Sequence, residues 1–149
     1  MRQPAPTIVA RAGRAVVLAA ASVLCLACPK KAAVWVANGS TVEQLVLRIS
    51  DVRGGEHPTW VSMVRVDRCD RAPDDTTAIM WLVSPDPGAQ EARAVTYGVA
   101  PVGWRSSYGP RPLTPGCYRV NTSSTGRTVF DVAPGGRVTE RVEPAPPAR

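Results

Sequence analysis

The sequence predicts an all-β fold, a single antiparallel β-sandwich of about 7–8 strands behind an N-terminal signal segment. Three observations predict it. From residue 33 onward the apolar residues come in short runs, and no window sustains a helical period. Fifteen prolines and 12 glycines in 149 residues punctuate those runs at strand-length intervals. Without its first 27 residues the chain keeps about 120, enough for one domain and too few for two.

Taken in order, residues 33–37 form the first strand, closed by Asn38-Gly39-Ser40, whose Asn-Gly pair readily takes the positive φ of a tight turn. Residues 42–50 alternate Leu45, Leu47 and Ile49 against Gln44, Val46 and Arg48, so one face is buried, and the polar stretch 51–57 with Gly54-Gly55 is a loop. In 60–69, Trp60, Val64 and Val66 share one parity and Val61, Met63 and Cys69 the other, which implies a bulge or burial on both sides. An acidic turn, 70–75, leads to the nearly continuous apolar run 76–83, expected of a central strand and ended by Ser84-Pro85-Asp86-Pro87-Gly88. Residues 92–99 place Val95, Tyr97 and Val99 inward. Segment 100–115, with four prolines around Trp104 and Tyr108, is expected to be a long irregular connection. The last strands are 117–121, 128–132 and 137–142, and the proline-rich tail 144–149 cannot pack as a strand or helix.

The N-terminus sets the compartment. Arg2, Arg11 and Arg14 precede the apolar run Val16 to Leu26, about half the length a membrane-spanning helix needs, and small residues follow: the three parts of an export signal. Its end, Leu24-Cys25-Leu26-Ala27-Cys28, resembles the lipobox of bacterial lipoproteins, with Cys25 where that family usually carries leucine. The resemblance implies a signal over 1–27, lipidation of Cys28 as the mature N-terminus, a linker at 28–32, and a domain at 33–143 held at a membrane on the periplasmic or outer-membrane side. Conventional cleavage near Ala27, Ala32 or Ala33 is the alternative, giving a secreted soluble protein. Lys30 and Lys31 read as a solvated linker.

The formal charge of +6 overstates the mature chain. Beyond residue 27 there are 15 Lys and Arg against 12 Asp and Glu, a net of +3 with no basic helix, so a nucleic-acid partner has little support. Of the four cysteines, Cys25 leaves with the signal and Cys28 is the lipid acceptor or is lost, so Cys69 and Cys117 are expected to pair in an oxidising compartment. Closing a loop of about 50 residues contributes roughly 4 kcal/mol in the chain-entropy model, less any strain. Zinc fails on spacing: there is no C-x-x-C, and His57 is the only histidine.

Leu113-Thr114-Pro115-Gly116-Cys117-Tyr118-Arg119-Val120 is similar to the L-x-P-G-x-Y-x-V turn and strand of immunoglobulin-like and fibronectin type III-like sandwiches. With Tyr97-Gly98-Val99, Pro101 and Gly103-Trp104, the segment looks like small uncharacterised bacterial envelope proteins carrying such a domain. The resemblance implies that Tyr118 forms a corner and Val120 enters the core. Because Cys117 takes the variable position before the tyrosine, the disulfide need not be the inter-sheet bridge of antibody domains.

No catalytic constellation stands out. His57 sits beside Glu56, but adjacent residues on an extended chain point oppositely, and no nucleophile elbow is present, so an exposed loop histidine is favoured over a base acting on Ser62. Asp67, Asp70, Asp74 and Asp75 could offer oxygens to calcium, yet Arg65, Arg68 and Arg71 interleave with them and offer ion pairs instead. No cofactor is expected. Trp35, Trp81, Tyr118 and Phe130 read as core. Trp104, Tyr108 and Arg111, with Arg105, are the possible partner-binding group, weighed against Trp104 folding back as a cap. The reading is a noncatalytic, membrane-anchored binding or structural module contacting another envelope protein or a glycan. A small envelope hydrolase or accessory enzyme, or a periplasmic chaperone-like module, are the alternatives.

Overall fold

The computed structural model describes residues 31–123 and 125–141. The expected signal segment 1–27, Cys28 and the proline-rich tail 144–149 lie outside the described residues. Nine strands follow one another: β1 (Ala33–Val36), β2 (Val46–Ser50), β3 (Val64–Arg68), β4 (Ile79–Pro85), β5 (Ala94–Thr96), β6 (Trp104–Tyr108), β7 (Gly116–Thr122), β8 (Arg127–Val132) and β9 (Val138–Arg141). One turn of 3-10 helix, Thr76–Ala78, precedes β4. The strands form two antiparallel sheets, β1-β2-β5 and β6-β4-β3-β7-β8-β9.

Alternation decides what each sheet contributes to the space between them. Val34, Val36, Leu45, Leu47, Ile49 and Val95 point inward from the small sheet. They meet Val64, Val66, Trp81, Val83, Tyr118, Val120, Phe130 and Val132 from the large one. Tyr118 and Phe130, cross-strand partners on β7 and β8, stack with centroids 5.4 Å apart. Trp81 is fully buried, and its Nε1–H donates to Ser106 Oγ at 3.1 Å, so the ring's one polar atom is satisfied.

Several boundaries differ from the sequence reading. Thr76 to Ala78 form the helical turn rather than strand, because Asp75 caps them, its carboxylate accepting from the Thr77 backbone N–H at 2.8 Å and the Thr77 hydroxyl at 2.6 Å. The apolar run that follows is indeed the interior strand β4, flanked by β3 and β6. Ahead of β3, residues 60–63 are not strand: Val61 is buried and Trp60 exposed. Val99 is not inward but 61% exposed, since β5 ends at Thr96 and the chain turns at Tyr97-Gly98.

The main correction is segment 100–115, which is not wholly irregular. Trp104 to Tyr108 hydrogen-bond along β4 as an outer strand of the large sheet. The alternating pattern that announces a strand is missing there because Arg105, Ser106 and Ser107 are all exposed at a sheet edge.

A shift in the β3–β4 ladder frees a backbone acceptor. Val66 pairs with Trp81 but Asp67 pairs with Ile79, so Met80 is the extra residue and its carbonyl is left free for other donors. The disulfide joins Cys69, just beyond β3, to Cys117 in β7, with Cα atoms 5.3 Å apart. It staples two neighbouring strands of one sheet and does not cross the core, and the Cys69 N–H donates to the Cys117 carbonyl at 3.0 Å beside it.

Candidate functional site

The aromatic and cationic residues expected to gather after residue 100 do not form one group: Trp104 lies at the Pro85 end of β6, whereas Tyr108 and Arg111 lie at the other end, against Leu82 and Met80. Trp104 is only 7% exposed and belongs to the core, its Nε1–H directed at the Gln90 carbonyl at 3.5 Å. Its ring is therefore not presented to a partner. Arg111 lies over the Tyr108 ring, 5.0 Å from the centroid. One arm of the guanidinium donates to Tyr108 Oη at 2.8 Å and the other to the Thr77 carbonyl at 3.0 Å.

The Arg111 backbone is held as firmly. Its N–H donates to the bulge carbonyl of Met80 at 3.0 Å, and its own carbonyl accepts from the Tyr97 hydroxyl at 2.7 Å. Burial raises the Tyr97 pKa, so the phenol stays protonated as a donor. Close approach to Met80 is possible because residue 109 is glycine, with φ +72° and no room for a Cβ against the Met80 carbonyl. The Gly109–Pro110 peptide is cis. Tyr108, Arg111, Tyr97 and Thr77 thus form a clamp that fastens the segment after β6 to the start of β4.

The acidic stretch is likewise engaged. Arg65 Nε donates to Asp67 at 2.7 Å and Asn121 donates to its other oxygen at 3.3 Å, satisfying a carboxylate that is almost fully buried. Arg68 forks onto Asp70 at 2.9 and 2.8 Å, and that hydrogen bonding lowers the Asp70 pKa. Asp75 is lowered too, through its bonds from Thr77. Among the described residues no cluster of three or more His, Cys, Asp or Glu is placed to hold a metal ion. His57 is exposed, and its backbone carbonyl, not its ring, accepts from Ser50 Oγ at 2.8 Å. The Ser62 N–H donates to Ser123 Oγ at 2.7 Å.

A different group is open. Trp35, assigned to the core by its place in an apolar strand, falls on the outward parity of β1 between buried Val34 and Val36. Its cross-strand partner on β2 is Arg48, also outward. Arg93, just before β5, stands beside them, its carbonyl accepting the Ile49 N–H at 2.8 Å. The loop after β2 folds back as a wall. Gly54 takes φ +76°, and a Cβ on Gly55 would lie 2.7 Å from Ser50 Oγ, so the wall stands this close to the sheet only because no side chain is there.

Together Trp35, Arg48, Ile49, Gly54, Gly55, Glu56 and Arg93 enclose a cleft of about 380 Å³ on the outer face of the small sheet. A second hollow of similar size flanks the Trp35–Arg48 pair, with the Arg53–Glu140 ion pair on its rim at 2.6 Å. Among the described residues, neither the Trp35 indole N–H nor the guanidinium of Arg48 or Arg93 has a hydrogen-bond or ion-pair partner. Six other arginines are held, Arg53, Arg65, Arg68, Arg105 and Arg141 by carboxylates and Arg111 by a carbonyl, and of those among the described residues without a side-chain bond only Arg48 and Arg93 line this cleft. The cleft is therefore a cationic hollow with a flat aromatic wall and unused donors, suited chemically to an anion that also carries an apolar face.

No family model matches the chain, and neither the curated proteins nor the solved structures contain a match. One signal in the sequence could have found the cleft: Trp35 and Arg48 occupy the solvent parity of two strands whose inward parity was already assigned. Arg93 and the glycine wall carry no such signal, because sheet pairing and loop closure bring them in.

Proposed function

We propose that this chain is a noncatalytic module of a bacterial cell envelope, anchored to a membrane through lipidated Cys28, whose sandwich binds an acidic glycan in the Trp35 cleft. One observation carries the reading: three residues whose donor groups have no partner among the described residues, Trp35, Arg48 and Arg93, line one hollow. A sugar ring offers an apolar face to an indole, and a uronate carboxylate accepts from two guanidiniums at once. Glu56 on the rim leaves the cleft net cationic, favouring acidic over neutral sugars.

The immunoglobulin-like identity of the sandwich is part of the same proposal. It is supported by the order β1-β2-β5 against β4-β3-β7-β8, which corresponds to strands A-B-E against C′-C-F-G, with β6 and β9 added at the two edges. The Tyr118 hydroxyl donates to the Thr114 carbonyl at 2.7 Å and accepts from the Thr114 N–H at 2.9 Å, the backward bond of a tyrosine corner.

The test is a calorimetric titration with a galacturonic acid trisaccharide, using a galactose trisaccharide as the neutral control. The acidic sugar is expected to bind and the neutral one not, and Arg48→Ala or Arg93→Ala should each weaken binding about tenfold, the loss of one charge-assisted hydrogen bond. Equal binding of the two sugars, or full binding by both variants, would remove the cleft as the site.

A further inference from the structure

We infer that the end of the sandwich bearing loop 51–60 rests on the bilayer itself, with Val52 and Trp60 in the boundary between headgroups and acyl chains. The inference rests on the lipid-anchor reading of Cys28 and goes beyond it, since an anchor alone leaves open which face of the domain meets the membrane.

Strand pairing fixes which parts share that end. Ala33 opposes Ser50, so the chain enters β1 where it leaves β2. Val64 opposes both Thr122 and Val83, so β3 starts where β7 and β4 finish. The two sheets meet there: a Cβ on Gly126, after β7, would lie 2.8 Å from the Ala32 carbonyl, and Ser62 bonds to Ser123. Lys31, Val52, His57 and Thr59 line one hollow at this end. The disulfide, at the exit of β3, marks the opposite end.

Four large apolar side chains are exposed among the described residues, and two of them, Val52 at 60% and Trp60 at 44%, lie in this one loop. The Trp60 indole N–H has no partner among the described residues. An exposed indole with a free donor is the side chain that partitions best into a bilayer interface, where its ring is buried and its N–H is wet.

Chain length supplies the second argument. Lys31 is three positions beyond Cys28, a span of at most about 11 Å when fully extended. A lipid on Cys28 would therefore hold this end within roughly a headgroup layer of the surface, and the domain could not present its far end instead. Charge does not drive the contact: Lys31 shares its hollow with Asp51, and Arg53 is engaged by Glu140. The contact is apolar and should resist salt.

The full processed protein, reconstituted into phosphatidylethanolamine–phosphatidylglycerol vesicles whose acyl chains are brominated near the headgroup, tests this by tryptophan quenching. Part of the emission should be quenched at low and high salt. That part should vanish in Trp60→Phe, persist in Trp35→Phe, and fall in Val52→Asp. Quenching unchanged by Trp60→Phe overturns the inference. The mass of the N-terminal peptide reads the anchor separately. A lipidated Cys28 without Trp60 quenching leaves the anchor and removes the docking face; quenching with an unlipidated Cys28 keeps the face and removes the anchor; absence of both removes both.

Discussion

The strand and segment from Trp104 to Arg111 and the group around Trp35 have the same composition, an indole and arginines, and opposite states. At the first, the indole is buried and bonded, and Arg111 stacks on Tyr108 and reaches the Thr77 carbonyl. At the second, the indole lines an open cleft and the two guanidiniums reach nothing among the described residues. An aromatic ring beside a cation is therefore no guide to a binding surface until the partners of each donor are known. Donors already used by the protein hold it together, whereas idle donors in a hollow are what a ligand can use.

The largest test of that contrast is a pair of truncations. Trp104→Ala should cost on the order of 3–5 kcal/mol, a core tryptophan removed with its cavity left behind, whereas Trp35→Ala should cost less than about 1 kcal/mol. Denaturant midpoints at unchanged slope would measure both. Equal losses would make Trp35 a packing residue and its cleft a mere surface irregularity.

A smaller difference should separate the arginines. Arg111→Ala removes the stacked cation and its bonds to Tyr108 and the Thr77 carbonyl and is expected to cost about 1 kcal/mol, while Arg48→Ala should stay within about 0.5 kcal/mol of wild type. The comparison is sharpened if the glycan titration then shows the reverse order, with Arg48→Ala impaired and Arg111→Ala intact.

The clamp also predicts a pH dependence that the cleft lacks. Burial raises the Tyr97 pKa above its unfolded value, so the stability tied to its protonation is fully present below about pH 10 and is lost as pH rises from there toward the folded value. Tyr97→Phe, which deletes the bond to Arg111, should cost about 1 kcal/mol at neutral pH and lose less with further alkalinity than the wild type. Stability measured between neutral pH and pH 11 would show the two curves converging; parallel curves would mean that Tyr97 ionises as freely folded as unfolded.

Much of the fold was legible because each signal was local. Leu45, Leu47 and Ile49 show their buried face by alternation alone, Asn38-Gly39 turns the chain where expected, and the two cysteines beyond Cys28 pair. Strand β6 was hidden because its exposed Arg-Ser-Ser centre has no alternation to read, and its hydrogen bonds to β4 are set by the partner strand. The start of β4 was overrun because Asp75 captures Thr76 to Ala78 as a helical turn.

By itself, then, the sequence determined the all-β class, the inward sets of most strands and the cysteine pair, since each depends on side-chain period or residue count over a few positions. Tertiary structure alone decided that the disulfide lies within one sheet and that Met80 is the bulge to which Tyr97 and Arg111 fasten. It also decided that Trp104 is spent on the core while Trp35, Arg48 and Arg93 share a cleft. The physical reason is that a donor's state depends on what the fold brings within about 3 Å of it. Strand register and loop closure fix those neighbours across tens of residues, over distances that no local pattern records.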